Sequence, residues 1–521
     1  MTATDPSPIP VPRRYYYLKR LGLFFTLWLL LLVGLRWYWG YAMHDRLERE
    51  IQAIAARGEP IRFEDMKFPA VPQADNQAYY YAQALNLWPR INGKLVTESD
   101  WYQNNEQHFP ENDPVKDNQD YLAQCEPAFQ ALRQAAQATR CDWGVRPSHP
   151  VYLIPYPELT ANRQRMQLLK DAMIRAHQVG NDALAVTLFQ QTLNLAEANE
   201  KPFLSLIHHL ISLSIRNPML NTLAEILPTL RVGEQPEEAV SPAMLRALQA
   251  RLLKEEKMRQ GQARALLVER WAQALAVQEL VNGQLTSSMS GPATPNIPWQ
   301  LVMWTGGPIF ENDIRLSLKH MTKLASAAEA GANLPDFQRR WKNSGAEAEL
   351  NSMSRLSRML APALEGSIRP HYYSLAQSRL AATAIAIKLY ELDHGRRPAQ
   401  LAELVPQYLP AIPLDPMTDG QPIKYLPQGV TPVIPTPGVP GWSRNATPDP
   451  KLLPTRKFAA LYCIGSNGTD QGGKCYFDEV GRIQSTSSDY DIVFLLDSQP
   501  DPIRPPKPGA PFPTTSPAAR P

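Results

Sequence analysis

The most pronounced hydrophobic segment of the chain lies near its N-terminus. An uncharged run, interrupted only by Arg36, covers residues 21–43. As a helix it is about 34 Å long, enough to cross a hydrocarbon core of about 30 Å. Aromatic residues flank both ends, at Tyr15–Tyr17 and Trp37–Tyr41, as expected at the two membrane interfaces. The pattern predicts one transmembrane helix.

A cleaved signal peptide is the alternative interpretation, because it also joins a basic region to an apolar core. No small-x-small cleavage motif follows this core, which favours an uncleaved anchor. Arg13, Arg14, Lys19 and Arg20 precede the core, and basic residues are retained on the cytoplasmic side. We expect a disordered cytoplasmic tail over residues 1–20, a single pass through a bacterial inner membrane, and a periplasmic location for most of the chain.

Helical periodicity dominates residues 44–370, the predicted helical domain. In segment 163–199, apolar positions recur at helical spacing on both sides of a break at residues 180–182, which predicts a helical hairpin. Part of this hairpin resembles the second half of a tetratricopeptide repeat, but no neighbour at a period of roughly 34 residues is convincing. The matching residues are Gly180, Ala185 and Phe189.

Two pairs of titratable residues lie within these predicted helices. Adjacent helical residues point about 100° apart and cannot form a facing pair. For His208 and His209 we expect one side chain at a packing edge and the other exposed. For Glu269 and Arg270 we expect a solvated helix face or a helix–helix ion pair.

The second half of the helical domain contains a cap signal and a long loop signal. Ser241 is a favourable N-cap and is followed by proline at the first helical position. We predict one helix from here to residue 280, with Gly261 as its weak point. Residues 282–308 are rich in Gly, Ser, Pro and Thr and predict a loop, with helices resuming near Asp313.

The pattern changes in residues 371–497. A helix is predicted over Tyr372–Leu392, with Gly395 as a left-handed C-terminal cap. A short amphipathic turn at Leu401–Leu404 and a turn-rich loop, residues 412–422, follow. Three strands are predicted, which are Ile423–Leu426, Phe458–Ile464 and Asp491–Leu496. The order indicates a helix packed on a small antiparallel sheet.

These patterns predict an α+β fold class that is mostly α. Residues 498–521 are proline-rich and lack core positions, so a disordered tail is predicted there. The net charge of +3 over 521 residues is close to balance and gives no indication of a nucleic-acid partner. Protein partners are expected, but the sequence does not identify them.

The four cysteines form two local pairs in the sequence. Cys125 and Cys141 lie in the helical domain, and Cys463 and Cys475 lie in the C-terminal domain. In an oxidising compartment this arrangement predicts two local disulfides, with four unrelated buried thiols as the alternative. The spacings match no zinc motif.

Catalytic motifs are missing from the sequence. The chain has no Walker A sequence, no H-E-x-x-H, and no G-x-G-x-x-G after a strand. Its 465-GSNG-468 string suits a turn better than a nucleophile elbow. We therefore expect a protein that is not an enzyme, with a periplasmic hydrolase built from dispersed carboxylates as an alternative.

The C-terminal region resembles the globular domain of type II secretion pseudopilins, specifically the major pseudopilin. The resemblance covers about residues 375–496 and rests on a D-P turn, a glycine-rich loop and a D-I strand. The matched residues are Tyr390, Asp393, Gly395, Pro398, Leu401, Leu404, Pro413, Asp415, Pro416, Tyr425, Tyr462, Gly465, Asn467, Asp470, Gly472, Gly473, Asp491 and Ile492. The arrangement is also similar to the C-terminal part of large uncharacterised membrane-anchored proteins from planctomycete-like bacteria.

In the pseudopilin family, the glycine-rich loop and the D-I aspartate help to bind a calcium ion. By position, the resemblance implies Asp470 and Asp491 as Ca²⁺ ligands, with Asn467 as a weaker one. Calcium prefers several carboxylate and carbonyl oxygens, and a glycine-rich turn exposes carbonyls. The alternative is a turn that needs no metal.

Two departures from the pseudopilins limit what the resemblance implies. Phe24 stands where the family has the glycine before its processing site, and Leu29 stands where it has a glutamate, so we expect no processing. About 330 residues also separate the membrane segment from the pseudopilin-like module. We therefore predict a non-enzymatic, membrane-anchored envelope protein, either a scaffold or an accessory component. An enlarged minor pseudopilin of a type II secretion-like system is the alternative.

Overall fold

The computed structural model describes residues 15–60, 70–91, 94–95, 114–146, 156, 158–201, 205–233, 238–281, 299–355, 358, 364–433, 456–477, 483–484 and 490–498. Within these ranges the chain is mostly helical, with a small three-stranded antiparallel sheet and one long apolar helix near the N-terminus. The predicted α+β, mostly α fold class is confirmed at this level. Residues 1–14 and 499–521, which form most of the two tails predicted to be disordered, lie outside the described residues.

The described elements are numbered in chain order. The helices are α1 Tyr16–Ala56, α2 Gln77–Leu87, α3 Pro114–Gln137, α4 Glu158–Gln178, α5 Asp182–Asn199, α6 Leu206–Ile226, α7 Pro242–Leu252, α8 Glu256–Val281, α9 Trp299–Ala330, α10 Leu334–Asn343, α11 Ala346–Ser352 and α12 Glu365–His394. The strands are β1 Arg90–Ile91, β2 Lys94–Leu95, β3 Lys424–Val430, β4 Phe458–Cys463, β5 Tyr476–Phe477, β6 Ile483–Gln484 and β7 Ile492–Leu495. In the main sheet β4 lies between β3 and β7, whereas β1–β2 and β5–β6 are separate antiparallel pairs.

Helix α1 is longer than the predicted span at both ends. It is long and apolar enough to cross a membrane, and its large apolar side chains are exposed as far as Tyr41. Further along, Leu47 and Ile54 are buried beside Leu318 of α9. The C-terminal part of α1 therefore belongs to the folded body.

Helix α9 begins earlier than the sequence predicts. Its first residue is Trp299, so the expectation of a loop as far as Pro308 is wrong; residues 282–298 lie outside the described residues. Pro308 is buried within α9, and a Cβ added at Gly40 of α1 would lie 3.9 Å from its ring. A proline inside a helix loses one backbone hydrogen bond. The packing of α9 against α1 stabilises the helix here in spite of this loss.

The predicted helical hairpin is confirmed by α4 and α5. Gly180 has a φ of +80° between them, and the Asn181 side chain caps α5. Ser241 also caps α7 as predicted, with a side-chain hydrogen bond of 3.1 Å. However, the helix does not continue to residue 280, because α7 ends at Leu252 and α8 begins at Glu256.

Helix α12 joins the helical region to the sheet. It contacts α6 and α7 as well as β4 and β7. Gly395 ends it with a φ of +66°, and Leu401–Leu404 forms a 3₁₀ turn, both as predicted. One continuous hydrophobic core extends from Ala78 in α2 to Leu496 after β7.

The four cysteines are free, buried thiols, so the expectation of two local disulfides is wrong for this structure. In the C-terminal pair, Cys463 faces the main core. Cys475 packs with Phe458 in a smaller cluster on the other face of β4. In the helical pair, Cys125 lies beside Tyr121, whereas Cys141 is hydrogen-bonded to the backbone of α2. The partners of each proposed bond thus occupy different surroundings.

Arg270 on α8 holds the segment that follows α1. Its guanidinium is buried, with Nη1 2.5 Å from Glu59 Oε2, and it also donates to Thr322 Oγ1 and to the Pro60 carbonyl. The solvated face that was one expectation for this residue is therefore excluded. Its neighbour Glu269 is partly buried, and loss of solvation raises the pKa of that carboxyl to about 7.

We expect the two partners of this ion pair to respond unequally to substitution. Glu59→Gln leaves a buried guanidinium without its counter-charge and should lower the free energy of unfolding by about 3 kcal/mol. Arg270→Met should cost clearly less, because Glu59 keeps Arg57 as a partner at 2.6 Å. Urea unfolding of the detergent-solubilised chain measures both. Equal losses would contradict the asymmetry.

Candidate functional site

The predicted calcium ligands lie around the glycine-rich loop that follows β4. Asp491 is buried at the start of β7, and its Oδ2 accepts hydrogen bonds from the backbone N–H groups of Gln471 (3.0 Å) and Gly473 (2.8 Å). Its Oδ1 is also buried and has no hydrogen-bond partner among the described residues. Loss of solvation and the nearby Asp470 carboxylate raise the pKa of Asp491.

The other two predicted ligands are exposed and already engaged. Asp470 forms an ion pair with Lys424 of β3 and accepts a hydrogen bond from Gly472 N (2.9 Å). The Lys424 ammonium lowers the pKa of Asp470. Asn467 Oδ1 accepts from Thr469 N at 2.8 Å, closing a local turn. The structure thus places the carboxylates of Asp470 and Asp491 beside the glycine-rich loop. The Asn467 side chain is instead hydrogen-bonded to the backbone two residues further on.

Lys424 supplies positive charge where the resemblance implies a metal ion. Its ammonium contacts Asp470 and also acts on Asp491. No group of three or more His, Cys, Asp or Glu residues suited to a metal is found in the described part of the chain. A calcium ion at this loop would have to take Asp470 from Lys424 and use carbonyl oxygens for most of its remaining ligands.

Asp415, one of the residues matched in the pseudopilin resemblance, has a structural role that the sequence did not reveal. It is buried in the turn-rich loop, where Oδ1 accepts from Met417 N and Oδ2 from Ile464 N, both at 2.8 Å. Burial raises the pKa of this carboxyl. The next residue, Pro416, accepts a hydrogen bond from Leu334 N at the start of α10. The loop therefore connects the sheet to the helical region.

Both adjacent histidines on α6 are buried, so the expectation that one is exposed is wrong. His208 Nε2 lies 3.1 Å from Glu158 Oε1, and His209 Nδ1 lies 3.1 Å from Glu200 Oε1. Glu158 is the first residue of α4, and Glu200 follows the last residue of α5. The spacing of residues on α6 alone does not reveal these partners. A Cβ added at Gly261 of α8 would lie 3.1 Å from Glu200 Oε2, so this glycine makes room for a carboxylate instead of ending a helix.

His209 also packs against a third buried histidine, His371 of α12, with ring centroids 5.6 Å apart and the rings tilted by 35°. His371 Nδ1 and His209 Nε2 have no hydrogen-bond partner among the described residues. Burial holds the pKa of His371 well below its usual value, and the nearby His209, Arg259 and Arg216 lower it further. His371 is therefore neutral near pH 7.

Two rows of hydroxyl, imidazole and carboxylate occur in the helical region. In the first, Ser205 Oγ lies 2.8 Å from His208 Nδ1, and His208 reaches Glu158. In the second, His177 lies 2.5 Å from Asp182 and 3.0 Å from the Thr229 hydroxyl. Such rows can activate a hydroxyl nucleophile where it is reachable and its proton is free to move.

Neither hydroxyl meets both conditions. Ser205 is buried, and it caps α6 by accepting from His208 N. Thr229 is exposed, but its hydroxyl donates to the Ile226 carbonyl at 3.1 Å, which directs its proton away from His177. The hydroxyl groups of both rows therefore form hydrogen bonds that stabilise helix ends.

No family model, no curated protein and no solved structure matches this chain. The resemblance of residues 375–496 to pseudopilins therefore stays a prediction, as do the calcium ligands that it implies.

Removal of the Lys424 charge should make the glycine-rich loop depend on calcium. In Lys424→Met, Asp470 and Asp491 lose their common cation, so we expect lower thermal stability without calcium. Stability should recover in roughly 1–10 mM Ca²⁺, about tenfold above the Kd of about 0.1–1 mM that is typical of extracellular calcium modules. Thermal unfolding of the full chain with Ca²⁺ or Mg²⁺ measures this. Lys474→Met, on the same loop, is the control. An unfolding temperature of Lys424→Met that does not change on addition of Ca²⁺ would contradict the predicted calcium site.

His371 should make stability fall in acid. An unfolded histidine is protonated below about pH 6.5, whereas folded His371 resists protonation. Neutral His371 therefore makes its full contribution to the free energy of unfolding above pH 6.5. This contribution is lost as the pH falls, by up to about 1.4 kcal/mol per pH unit. His371→Leu should flatten the curve between pH 6.5 and 5 relative to the parent chain.

The difference between the two curves isolates His371 from carboxyls such as Glu269, whose raised pKa acts in the opposite direction. Exposed His394 serves as the control through His394→Gln. Parallel curves for the parent chain and His371→Leu would contradict the assignment.

Proposed function

We propose that the chain is a non-enzymatic, membrane-anchored envelope protein that acts as a scaffold or as an accessory component of a larger machine. In this proposal α1 crosses a bacterial inner membrane once, the N-terminus is cytoplasmic, and the body is periplasmic. The observation that carries the proposal is the burial of α12 on both of its sides.

Helix α12 stands where a pseudopilin-like module would have its own membrane-connected helix. Its apolar residues Leu375, Leu380 and Ile385 are each at most 1% exposed. Polar contacts fix it to α6 as well, because Gln377 donates to Asn221 Oδ1 at 2.7 Å and Arg216 donates to Ser378 Oγ at 3.3 Å. The module is thus built into the helical body by both packing and hydrogen bonds.

This arrangement favours a scaffold over an enlarged minor pseudopilin. A subunit that assembles through the helix under its sheet needs a free face on that helix. In α12 the faces are taken by α6 and α7 on one side and by β4 and β7 on the other. The candidate membrane helix is a separate element, α1, which packs on α9.

The hydrolase alternative receives less support. The two hydroxyl–imidazole–carboxylate rows are the arrangements closest to a nucleophile site in the described residues, and each commits its hydroxyl to a helix end. We propose that these rows stabilise the helical body.

An intact N-terminus and outside exposure of the body are the expected results for the full chain in a Gram-negative host. Mass spectrometry of the purified protein should recover peptides that precede Phe25, and protease added to spheroplasts should digest the body. Leu27→Arg with Leu30→Arg should release the chain from alkali-washed membranes, because each charge near the bilayer centre costs about 2.5–3.5 kcal/mol.

A chain beginning at Phe25 would instead support the minor pseudopilin. A protected body in spheroplasts, digested only after lysis, would overturn the periplasmic location. Capture of membrane complexes with the intact protein should recover protein partners, and a chain recovered alone in cross-linked membranes would contradict the scaffold role.

A further inference from the structure

A continuous groove crosses the body where the helical region meets the turn-rich loop. It consists of a cleft of about 850 Å³ and a second of about 460 Å³, which share Leu253, Glu255 and Arg259. The larger cleft lies between α5, α6 and the start of α8, and the smaller one extends to residues 410–415. Small-molecule pockets hold about 300–1,000 Å³, so the joined groove has room for an extended chain.

Most charged groups along this groove neutralise one another. Glu197 pairs with Arg251 at 2.8 Å. Glu255 pairs with Arg379 at 2.6 Å and with Arg259 at 3.5 Å. Exposed Lys254, Glu256 and Lys257 also line the larger cleft, where water screens their charges.

Arg216 is different from these arginines. It lines the larger cleft and is only 9% exposed, yet its one hydrogen bond within the described residues is from Nε to Ser378 Oγ, at 3.3 Å. It forms no ion pair with a described carboxylate, and Glu197, Glu200 and Glu255 act on it only at longer range. A buried guanidinium without a paired anion is costly, and a carboxylate from a ligand would supply the missing partner.

We propose that the groove binds a peptide segment of a partner protein through one carboxylate that pairs with Arg216. Apolar residues line much of the smaller cleft, among them Leu253, Ile412 and Leu414, and suit the neighbouring side chains of such a segment. Glu197, Glu200 and Glu255 repel a polyacidic chain, so the segment carries a single acidic group among apolar ones. This inference rests on the proposed scaffold function and names its partner class.

The test uses two fluorescein-labelled octapeptide pools with apolar residues around one fixed position, which is glutamate in one pool and glutamine in the other. Fluorescence polarisation with the full chain in detergent should show about tenfold tighter binding of the glutamate pool, the effect of one charge-assisted hydrogen-bonded pair. Arg216→Gln should abolish this preference. Arg340→Gln, an exposed arginine paired with Asp336 outside the groove, should keep it.

Two further variants keep the proposal testable if Arg216→Gln fails to fold. Arg216→Lys retains the charge but loses the planar fork and should reduce the preference severalfold. Ser378→Ala removes the hydrogen bond between Arg216 and Ser378 and should keep the preference. Equal binding of both pools by the parent chain would overturn the proposal.

Displacement of the glutamate pool by millimolar free glutarate would overturn the peptide assignment in favour of a small carboxylate. None of these results changes where the N-terminus begins or which side of the membrane holds the body. Failure of the peptide proposal is therefore distinguishable from failure of the scaffold proposal.

Discussion

Helix α12 has no exposed residue between His371 and Tyr390, and this constraint governs the rest of the molecule. Alanine is frequent along it, at positions 376, 381, 382, 384 and 386, and all five are buried. Small side chains let neighbouring backbones approach closely, while Leu375, Leu380 and Ile385 fill the spaces between them. A helix that is buried all round along this length needs neighbours on every side. Helices α6 and α7 cover part of α12, and strands β4 and β7 cover another part. Both the helical region and the sheet therefore depend on α12 to complete their cores.

Burial also explains why several charged side chains inside the body occur as close ion pairs. A desolvated charge is tolerated only when its partner lies close. Arg270 meets Glu59, Arg379 meets Glu255, and each pair joins segments that are distant in the sequence. Arg216 has no ion-pair partner among the described residues, and it lies on the wall of a groove.

The features predicted correctly from the sequence are those determined by neighbouring residues. The Ser241 cap, the left-handed Gly395 and the 3₁₀ turn at Leu401–Leu404 depend on local backbone chemistry. The features that were missed depend on contacts between distant segments. The break before Glu256 accompanies a groove, and α9 extends through Pro308 because α1 packs on it.

The same distinction applies to the candidate sites. The resemblance implies Asp470 of the glycine-rich loop and Asp491 of the D-I strand as ligands, and in the structure both side chains accept hydrogen bonds from that loop. It did not foresee Lys424, which comes from a strand 46 residues earlier and occupies one of the two carboxylates. The burial of His208 and His209 was likewise missed, since their partners Glu158 and Glu200 lie on or beside other helices. Long-range electrostatic partners leave no periodic signal in a sequence.

The uninterrupted backbone of α1 has a mechanical consequence. The helix is 41 residues long, or about 60 Å, so roughly half of it would project beyond a bilayer core. Leu47 and Ile54 clamp that projecting half to the body. With no flexible linker at the membrane surface, the body and the span would move as one lever. A sideways pull on a bound partner would become a tilt of the span, and the groove would keep a defined height above the lipid headgroups.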